Sequence, residues 1–320
     1  MQPLILNSIA KELKDKGIII NIDTVKPYKY QGWMSSVFTA ESNIGTLIIH
    51  LANLVEEHKL NKVWEKFSGL SALLTAHPEI PTSTIQYVTF LKGKLILVQN
   101  FICGNPCGKR ILSQGIFSDQ WNFEQQDIRK KILITLAHIH NLHLDDFGWP
   151  TLKDDALSGG HKTWKEFFKI ESPRWIVAVK KKDLGLKNIP IENLETLIKT
   201  LVDQIDYAGP SVLVHGDAIN PGNIILRENK KIFLIDWEWS IAADPAWEFC
   251  DLGWWPWLGK EYLKPYFETA NLINEEKKEN FLKRVNLYIP FWLLWGACMH
   301  TNDEQPEVYL GLRQLLINKL

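Results

Sequence analysis

Two aspartates and an asparagine, close together at the start of the last third of the chain, have the types and spacing for phosphoryl chemistry. An apolar run, Val212-Leu213-Val214, ends in His215-Gly216-Asp217. A Pro221-Gly222 turn leads to Asn223, and a second apolar strand, Ile232 to Ile235, ends on Asp236. This order puts two carboxylates and an amide at the ends of two neighbouring buried strands. In magnesium-assisted phosphoryl transfer one such carboxylate accepts the proton of the attacking hydroxyl, while the amide and the second carboxylate hold metal on the nucleotide phosphates. Asp and Asn after a strand are also ordinary turn formers, because their side chains bond nearby backbone. A single pair would therefore carry little weight. The complete string carries more: His-Gly-Asp, an Asn-Ile-Ile-Leu strand, a turn, Leu-Ile-Asp-Trp-Glu, then Asp244-Pro245.

The string resembles the catalytic and metal-binding loops of the aminoglycoside phosphotransferase and choline kinase family, distant relatives of the protein kinases. The resemblance spans nearly the whole chain and is specific at residues 212–251. It implies an α+β, two-lobed protein-kinase-like fold with a small β-rich N-lobe and a larger, mostly helical C-lobe. It further implies that Asp217 is the catalytic base, that Asn223 and Asp236 hold Mg²⁺, and that His215 holds the loop. Asp244 and Asp251 match acids that brace this loop, although helix capping explains them equally well. One departure stands out. The family spaces its Asp and Asn five apart, whereas Asp217 and Asn223 are six apart. Asn220 thus competes as metal ligand, but Pro221-Gly222-Asn223-Ile224-Ile225-Leu226 fits the family text better.

The elements that must position these groups follow from periodicity. Val37 to Ala40 and Thr46 to Ile49 read as strands joined by a turn at Ser42-Asn43-Ile44-Gly45. Leu60 to Ala76 has Val63, Phe67, Leu70 and Leu74 on one helical face. Two more strands, Thr84 to Leu91 and Leu95 to Val98, follow Pro78 and Pro81. This β-rich region with one helix is expected to form residues 1–102, a nucleotide-binding N-lobe. Residues 103–320 are expected to form the C-lobe, with the catalytic loops and a helical substrate-binding region. Helices are expected over Phe123 to Leu142, over Glu192 to Ile205, and from Ala246 to the end of the chain.

In the N-lobe the resemblance makes Gly32, Ser35 and Ser36 the nucleotide-covering loop. It makes Gln99, Asn100, Phe101 and Ile102 the segment whose backbone bonds adenine. The protein kinases' phosphate-binding lysine is replaced here by His50, with Glu65 on the next helix as its partner. Histidine titrates near 6.5, so bound triphosphate would have to raise its pKa to keep it charged.

Several function classes fall away. The 320 residues, 46% hydrophobic and 23% charged with net charge −1, suit a globular enzyme and offer no electrostatic case for nucleic acid or anionic membrane. The N-terminus does not read as a signal peptide, and the longest apolar stretch, Ile289 to Met299, is too short to span a bilayer. Four irregularly spaced cysteines argue against a disulfide framework or zinc site and fit a cytoplasmic protein. Gly104-Asn-Pro-Cys-Gly108-Lys109 is one residue short of a Walker A loop and is followed by Arg110 instead of Ser or Thr. His138 and His140 lie about 200° apart on a helix and cannot form a one-face ligand set.

The expected activity is ATP- or GTP-dependent transfer of the γ-phosphate to a hydroxyl of a small molecule, of the aminoglycoside or antibiotic type. A choline or ethanolamine kinase is the alternative within the fold. Eight of the fourteen tryptophans lie between Trp237 and Trp295, and a wall of indoles can hold a quaternary ammonium. A cationic antibiotic would instead need acids such as Asp154, Asp155, Glu248, Asp251 and Glu261. A catalytically silent nucleotide- or ligand-binding protein is the rival from another class.

Overall fold

Ile5, Ile9 and Leu13 recur every four residues, the spacing of one helical face, and all three are fully buried on a first helix, α1 (Gln2–Lys14). In the computed structural model, which describes residues 2–29, 35–53, 60–91, 93–113, 116–181, 191–299, 311–312 and 314–316, α1 covers one face of an antiparallel sheet. The strands are β1 (Ile20–Pro27), β2 (Ser35–Ser42) and β3 (Gly45–Asn53), then, after helix α2 (Leu60–Ala76), β4 (Ile85–Leu91) and β5 (Lys94–Asn100), in the order β1-β2-β3-β5-β4. Alternation decides which side chains meet α1. Leu47, Ile49 and Leu51 of β3 join Ile96 and Val98 of β5 in its core, so Ile48 and His50 take the other face. Full burial of each such side chain stabilises by about 1.5–3 kcal/mol. The turn between β2 and β3 closes on Gly45 at φ 103, a left-handed conformation that glycine adopts without steric cost.

The residues divide into two compact units, Met1–Gly104 with Thr151–Leu157, and Asn105–Pro150 with Ser158–Leu320. The first contains two helices where the sequence led us to expect one. It also takes in most of a short hairpin, β10 (Thr151–Lys153) and β11 (Ala156–Ser158), whose Leu152 and Leu157 sit against Gly69 of α2.

The second unit opens with β6 (Asn105–Pro106), a hairpin of β7 (Gly108–Ser113) and β8 (Ile116–Trp121), helix α3 (Gln125–Ile139) and β9 (His143–Leu144). Helices α4 (Trp164–Lys181) and α5 (Ile191–Asp203) precede β12 (Ser211–Val214). Beyond it come β13 (Ile224–Leu226), β14 (Ile232–Leu234), β15 (Ile241–Ala243), and helices α6 (Lys264–Thr269) and α7 (Glu275–Met299). Aromatic packing of Trp164, Phe168, Trp247, Tyr288 and Phe291 joins α4 to α7. Two three-stranded ladders, β15-β12-β9 and β14-β13-β6, carry the loops of interest. The strands ending at Val214 and Leu234 were expected to be neighbours. They belong to different ladders, and a side chain, not strand pairing, ties them together. Among the described residues no helix is long and apolar enough to cross a membrane.

Candidate active site

Strand β12 is buried between β15 and β9 and ends at Val214, just before His215. The chain then turns through Gly216 at φ 85, where a Cβ would run into the Trp239 carbonyl oxygen, so the turn requires glycine. The turn is held from beneath by Glu248, whose carboxylate accepts from the amides of His215 at 2.7 Å and Gly216 at 3.2 Å. Glu248 is only 2% exposed. Burial works against its charge, but His140, His215 and the Gly216 amide outweigh that and bring its pKa below the ordinary carboxylate value.

The His215 ring is the side chain that ties the ladders. Its Nε2 lies 3.1 Å from the Ile235 carbonyl, next to Asp236, and its Nδ1 accepts from the Asp217 amide at 3.3 Å. A single Nε2–H tautomer satisfies both bonds. The ring also lies against Trp237, with centroids 4.5 Å apart.

Asp217 comes next. Its Oδ2 accepts from Asn223 Nδ2 at 2.7 Å and from Asn220 Nδ2 at 3.0 Å, and its Oδ1 accepts from Arg110 Nη1 at 3.0 Å. Burial pushes its pKa up to about 7; Arg110 and Asn220 oppose this, while the negative charges of Asp251 and Asp236 reinforce it.

The extra residue between Asp217 and Asn223 is absorbed by a single 3₁₀ turn, Pro221–Asn223. Asn220 caps that turn, its Oδ1 accepting from the Gly222 amide at 3.1 Å. The Asn223 Nδ2 also bonds the Asp217 carbonyl, at 3.2 Å. Both partners of Asn223 are acceptors, so its amide nitrogen must face them and its Oδ1 points away; among the described residues that oxygen accepts no hydrogen bond. The two asparagines therefore differ: the oxygen of Asn220 is occupied by backbone, and that of Asn223 is available.

Asn223 and Asp236 sit at one end of the β13–β14 hairpin. The ladder pairs Ile224 with Leu234, and one further bond runs from the Ile235 amide to the Asn223 carbonyl at 2.9 Å. Asp236 follows at φ 66, ψ 70, a left-handed conformation that costs a non-glycine residue about 1–3 kcal/mol. Its exposed carboxylate makes no hydrogen bond or ion pair among the described residues. An amide oxygen and a carboxylate are oxygen donors of the kind a hard divalent cation takes. No group of three or more His, Cys, Asp or Glu that could hold a metal ion occurs among the described residues.

Arg110 of β7 was not anticipated from the sequence. Its Nε and Nη2 bond Asp119 at 2.9 and 3.3 Å, its Nη1 and Nη2 bond Asp251 at 3.0 and 2.9 Å, and its Nη1 bonds Asp217. Burial works against its charge, yet Asp251, Asp217 and Asp119 hold its pKa well above the ordinary value. Asp251 also caps the turn that follows it through the Gly253 amide at 2.7 Å, so capping and bracing coexist in one residue. Asp244 does likewise: it caps Ala246 while accepting from Arg284 at 2.7 Å and Tyr288 at 2.8 Å.

The acids named for a cationic acceptor do not form one available set. Glu248 and Asp251 are both engaged internally, as above. Of the indoles, Trp237, Trp247, Trp254, Trp292 and Trp295 are buried core. The face of Trp257 already carries the Arg129 guanidinium at 3.6 Å.

In the first unit, His50 is half-buried and opposes Val37 and Leu97 in register. Ser36 opposes Leu51, a residue of the α1-facing core, so Ser36 and His50 lie on opposite faces of the sheet. Ser35 opposes Ala52, and Glu65 is half-buried on α2. Gly32 lies outside the described residues. Gln99 is buried on β5. The Asn100 amide bonds the Thr84 carbonyl at 2.9 Å, the Asn100 carbonyl accepts from Ser83 at 2.7 Å, and the Phe101 amide bonds the Thr46 carbonyl at 3.0 Å. The Phe101 carbonyl and the Ile102 amide make no hydrogen bond among the described residues.

The family model of the phosphotransferase enzyme family matches residues 118–279, just over half of the chain. The chain belongs to that family and is a small-molecule phosphotransferase with a protein-kinase-like α+β fold. Solved structures agree on the fold. Plasmodium vivax ethanolamine kinase superposes with a TM-score of 0.63 at 15% identity, covering 96% of this chain and 87% of that one. Macrolide 2′-phosphotransferase type I gives 0.59 at 12% identity, covering 97% and 96%. A thermostable mutant of the aminoglycoside phosphotransferase APH(4)-Ia, in ternary complex with AMP-PNP and hygromycin B, gives 0.60 at 13% identity and covers 98% of each chain. No curated protein matches the chain in sequence.

Proposed function

We propose that this protein transfers the γ-phosphate of ATP or GTP to a hydroxyl of a small molecule of the antibiotic or amino-alcohol kind, with Asp217 as the base and Asn223 and Asp236 as ligands of Mg²⁺. The observation that carries this reading is the arrangement around Asp217: its carboxylate is held by the two asparagine amides, while the Asn223 oxygen and the Asp236 carboxylate make no hydrogen bond among the described residues. The acceptor oxygen forms a bond to the γ-phosphorus as the bond to the β-phosphate oxygen breaks. The nucleoside diphosphate leaves with the electron pair, and the hydroxyl proton passes to Asp217. When bound, Mg²⁺ supplies charge neutralisation at the β- and γ-phosphate oxygens.

The first hundred residues are assigned to the nucleotide. Adenine pairing falls to the Phe101 carbonyl and Ile102, since the Asn100 and Phe101 amides are already bonded within their own sheet. Gln99 and Asn100 shape that segment from the strand end. His50, steadied by Glu65, takes the place of the phosphate-binding lysine. Gly32 and Ser35 are assigned to the phosphate-covering segment; the Ser36 side chain, on the face of the sheet opposite His50, is not available to the same phosphates. Among acceptors, a neutral or singly charged amino-alcohol fits better than a polycation, because Glu248 and Asp251 are engaged internally. The ethanolamine-kinase likeness points the same way. Among the tryptophans, the face of Trp257 is taken by Arg129, which counts against that residue as a platform for a quaternary ammonium.

A nucleotide-consumption screen with Mg·ATP and Mg·GTP against aminoglycosides, macrolides, choline, ethanolamine and sugars tests the proposal. The expected result is turnover with at least one hydroxyl acceptor, abolished by Asp217→Asn. Binding of Mg·ATP with no turnover on any acceptor, or on water, would favour a silent binding protein.

A further inference from the structure

Arg110 has five N–H donors, and all five are used: two on Asp119, two on Asp251 and one on Asp217. The guanidinium cannot rotate without breaking a bidentate pair. Its side chain is 14% exposed, and those of Asp119, Asp217 and Asp251 are 12%, 16% and 4% exposed, so water is a poor substitute for any of these bonds. The hairpin that delivers Arg110 sits directly on the turn that carries the asparagines: a Cβ on Gly108 of β7 would lie 3.0 Å from Pro221. Gly253 allows the approach from the other side, since a Cβ there would lie 2.9 Å from Asp119 and 2.8 Å from Ile219.

An ionised carboxylate offers about four lone-pair directions. On Asp217 three are filled, two on Oδ2 by Asn220 and Asn223 and one on Oδ1 by Arg110. We propose that Arg110 is a positioning residue for the reaction: it fixes the plane of the Asp217 carboxylate so that a single direction, on Oδ1, is left for the acceptor hydroxyl. This rests on the reading of Asp217 as the base. Without Arg110 the carboxylate remains hinged on its Oδ2 contacts, and Oδ1 no longer has a fixed direction. Lysine does not replace it, because an ammonium presents three donors from one point and cannot span three carboxylates as a planar fork does. Arg110 lies upstream of the residues that match the family model, so the match itself assigns it no role.

The test measures phosphate release from Mg·ATP with water as acceptor, Mg·AMP-PNP affinity by calorimetry, and the thermal midpoint. It compares wild type, Arg110→Lys, Arg110→Ala and Asp217→Asn. Arg110→Lys is expected to unfold cooperatively, to bind Mg·AMP-PNP within about twofold of wild type, and to turn over about 10–100-fold more slowly, the scale of a 1 Å misplacement. Added ethylguanidinium should restore part of the rate of Arg110→Ala. Where Arg110→Lys does not fold, Arg110→Lys with Asp119→Asn removes one carboxylate and is measured in its place. A folded lysine variant with the wild-type rate overturns the proposal. So does a rate loss matched by an equal loss of Mg·AMP-PNP affinity, which would mark the cluster as purely structural. If Asp217→Asn keeps the wild-type rate, the base assignment falls and this proposal with it. If Asp217→Asn is inactive while Arg110→Lys is normal, only the role of Arg110 falls.

Discussion

His215 Nε2 and the Ile235 carbonyl oxygen are 3.1 Å apart, and through this contact the loop bearing Asp217 and the loop bearing Asp236 are joined across two separate ladders. Removing the ring should therefore disturb both loops at once. His215→Ala leaves the part-buried Ile235 carbonyl and Asp217 amide without this partner, at no more than about 1–3 kcal/mol for each group left unsatisfied. We expect a fall in thermal midpoint together with losses in both turnover and Mg·ATP affinity. Loss of turnover with unchanged affinity would show that the two loops hold their positions independently.

The two asparagines should separate cleanly. Asn223→Ala removes the available amide oxygen and should weaken Mg²⁺-dependent nucleotide binding while leaving Mg²⁺-free binding unchanged. Asn220→Ala removes a cap and should cost about 0.5–2 kcal/mol of stability, with Mg²⁺ dependence preserved. Calorimetric titration of ATP with and without Mg²⁺ into both variants distinguishes them. A metal requirement altered only by Asn220→Ala would reverse the assignment.

Much of this arrangement was legible in the residues and some was not. The spacing of Val63, Phe67, Leu70 and Leu74 gave a helix over Leu60 to Ala76, where α2 lies. The turn residues before Gly45 gave the β2–β3 hairpin. Asp217, Asn223 and Asp236 were legible because a strand–turn–strand run places them within a few residues of one another. Arg110 was not, since it meets Asp217 across 107 residues of sequence. Periodicity reports which face of an element is apolar, but not which element arrives opposite. The same limit hid the separation of β12 from β14. The helix α1 did leave a signal, in Ile5, Ile9 and Leu13 at four-residue spacing. Glu248 looks like a solvent-facing acid in sequence, and only the fold shows that backbone amides engage it; Asp251 was legible as a bracing acid, but its guanidinium partner was not.

Asp236 holds a left-handed backbone that glycine would adopt without strain. Asp236→Gly should relieve part of the ~1–3 kcal/mol of strain, offset by the ~0.4–1 kcal/mol of added freedom in the unfolded chain. The net expectation is a thermal midpoint unchanged or raised by a few degrees, at about 2–4 °C per kcal/mol for a unit of this size. Mg²⁺-dependent nucleotide binding should be lost in the same variant. A destabilised variant that still binds Mg·ATP would make Asp236 a structural turn residue.

Asp217 gives the pH-dependent case. Its folded pKa is pushed up to about 7, chiefly by burial, against an ordinary value of about 3.9 in an unfolded chain. Between those values the unfolded state has given up the proton and the folded state has kept it. The folded state therefore loses stability from this group as pH rises from about 4 to about 7, and the penalty is constant above that. Asn cannot ionise, so Asp217→Asn escapes the pH-dependent penalty; its single oxygen cannot accept from Arg110 and both asparagine amides together, a cost that does not change with pH. In Mg²⁺-free buffer the midpoint of Asp217→Asn relative to wild type should rise between pH 4 and pH 7 and level off by pH 8. Turnover with Mg·ATP should be lost at every pH. Calorimetric melting of both proteins across this range checks the sign. An advantage that shrinks as pH rises would mean that the Arg110 charge, and not burial, dominates the ionisation of Asp217. The base would then be fully ionised throughout, and wild-type turnover would show no acid limb near neutrality.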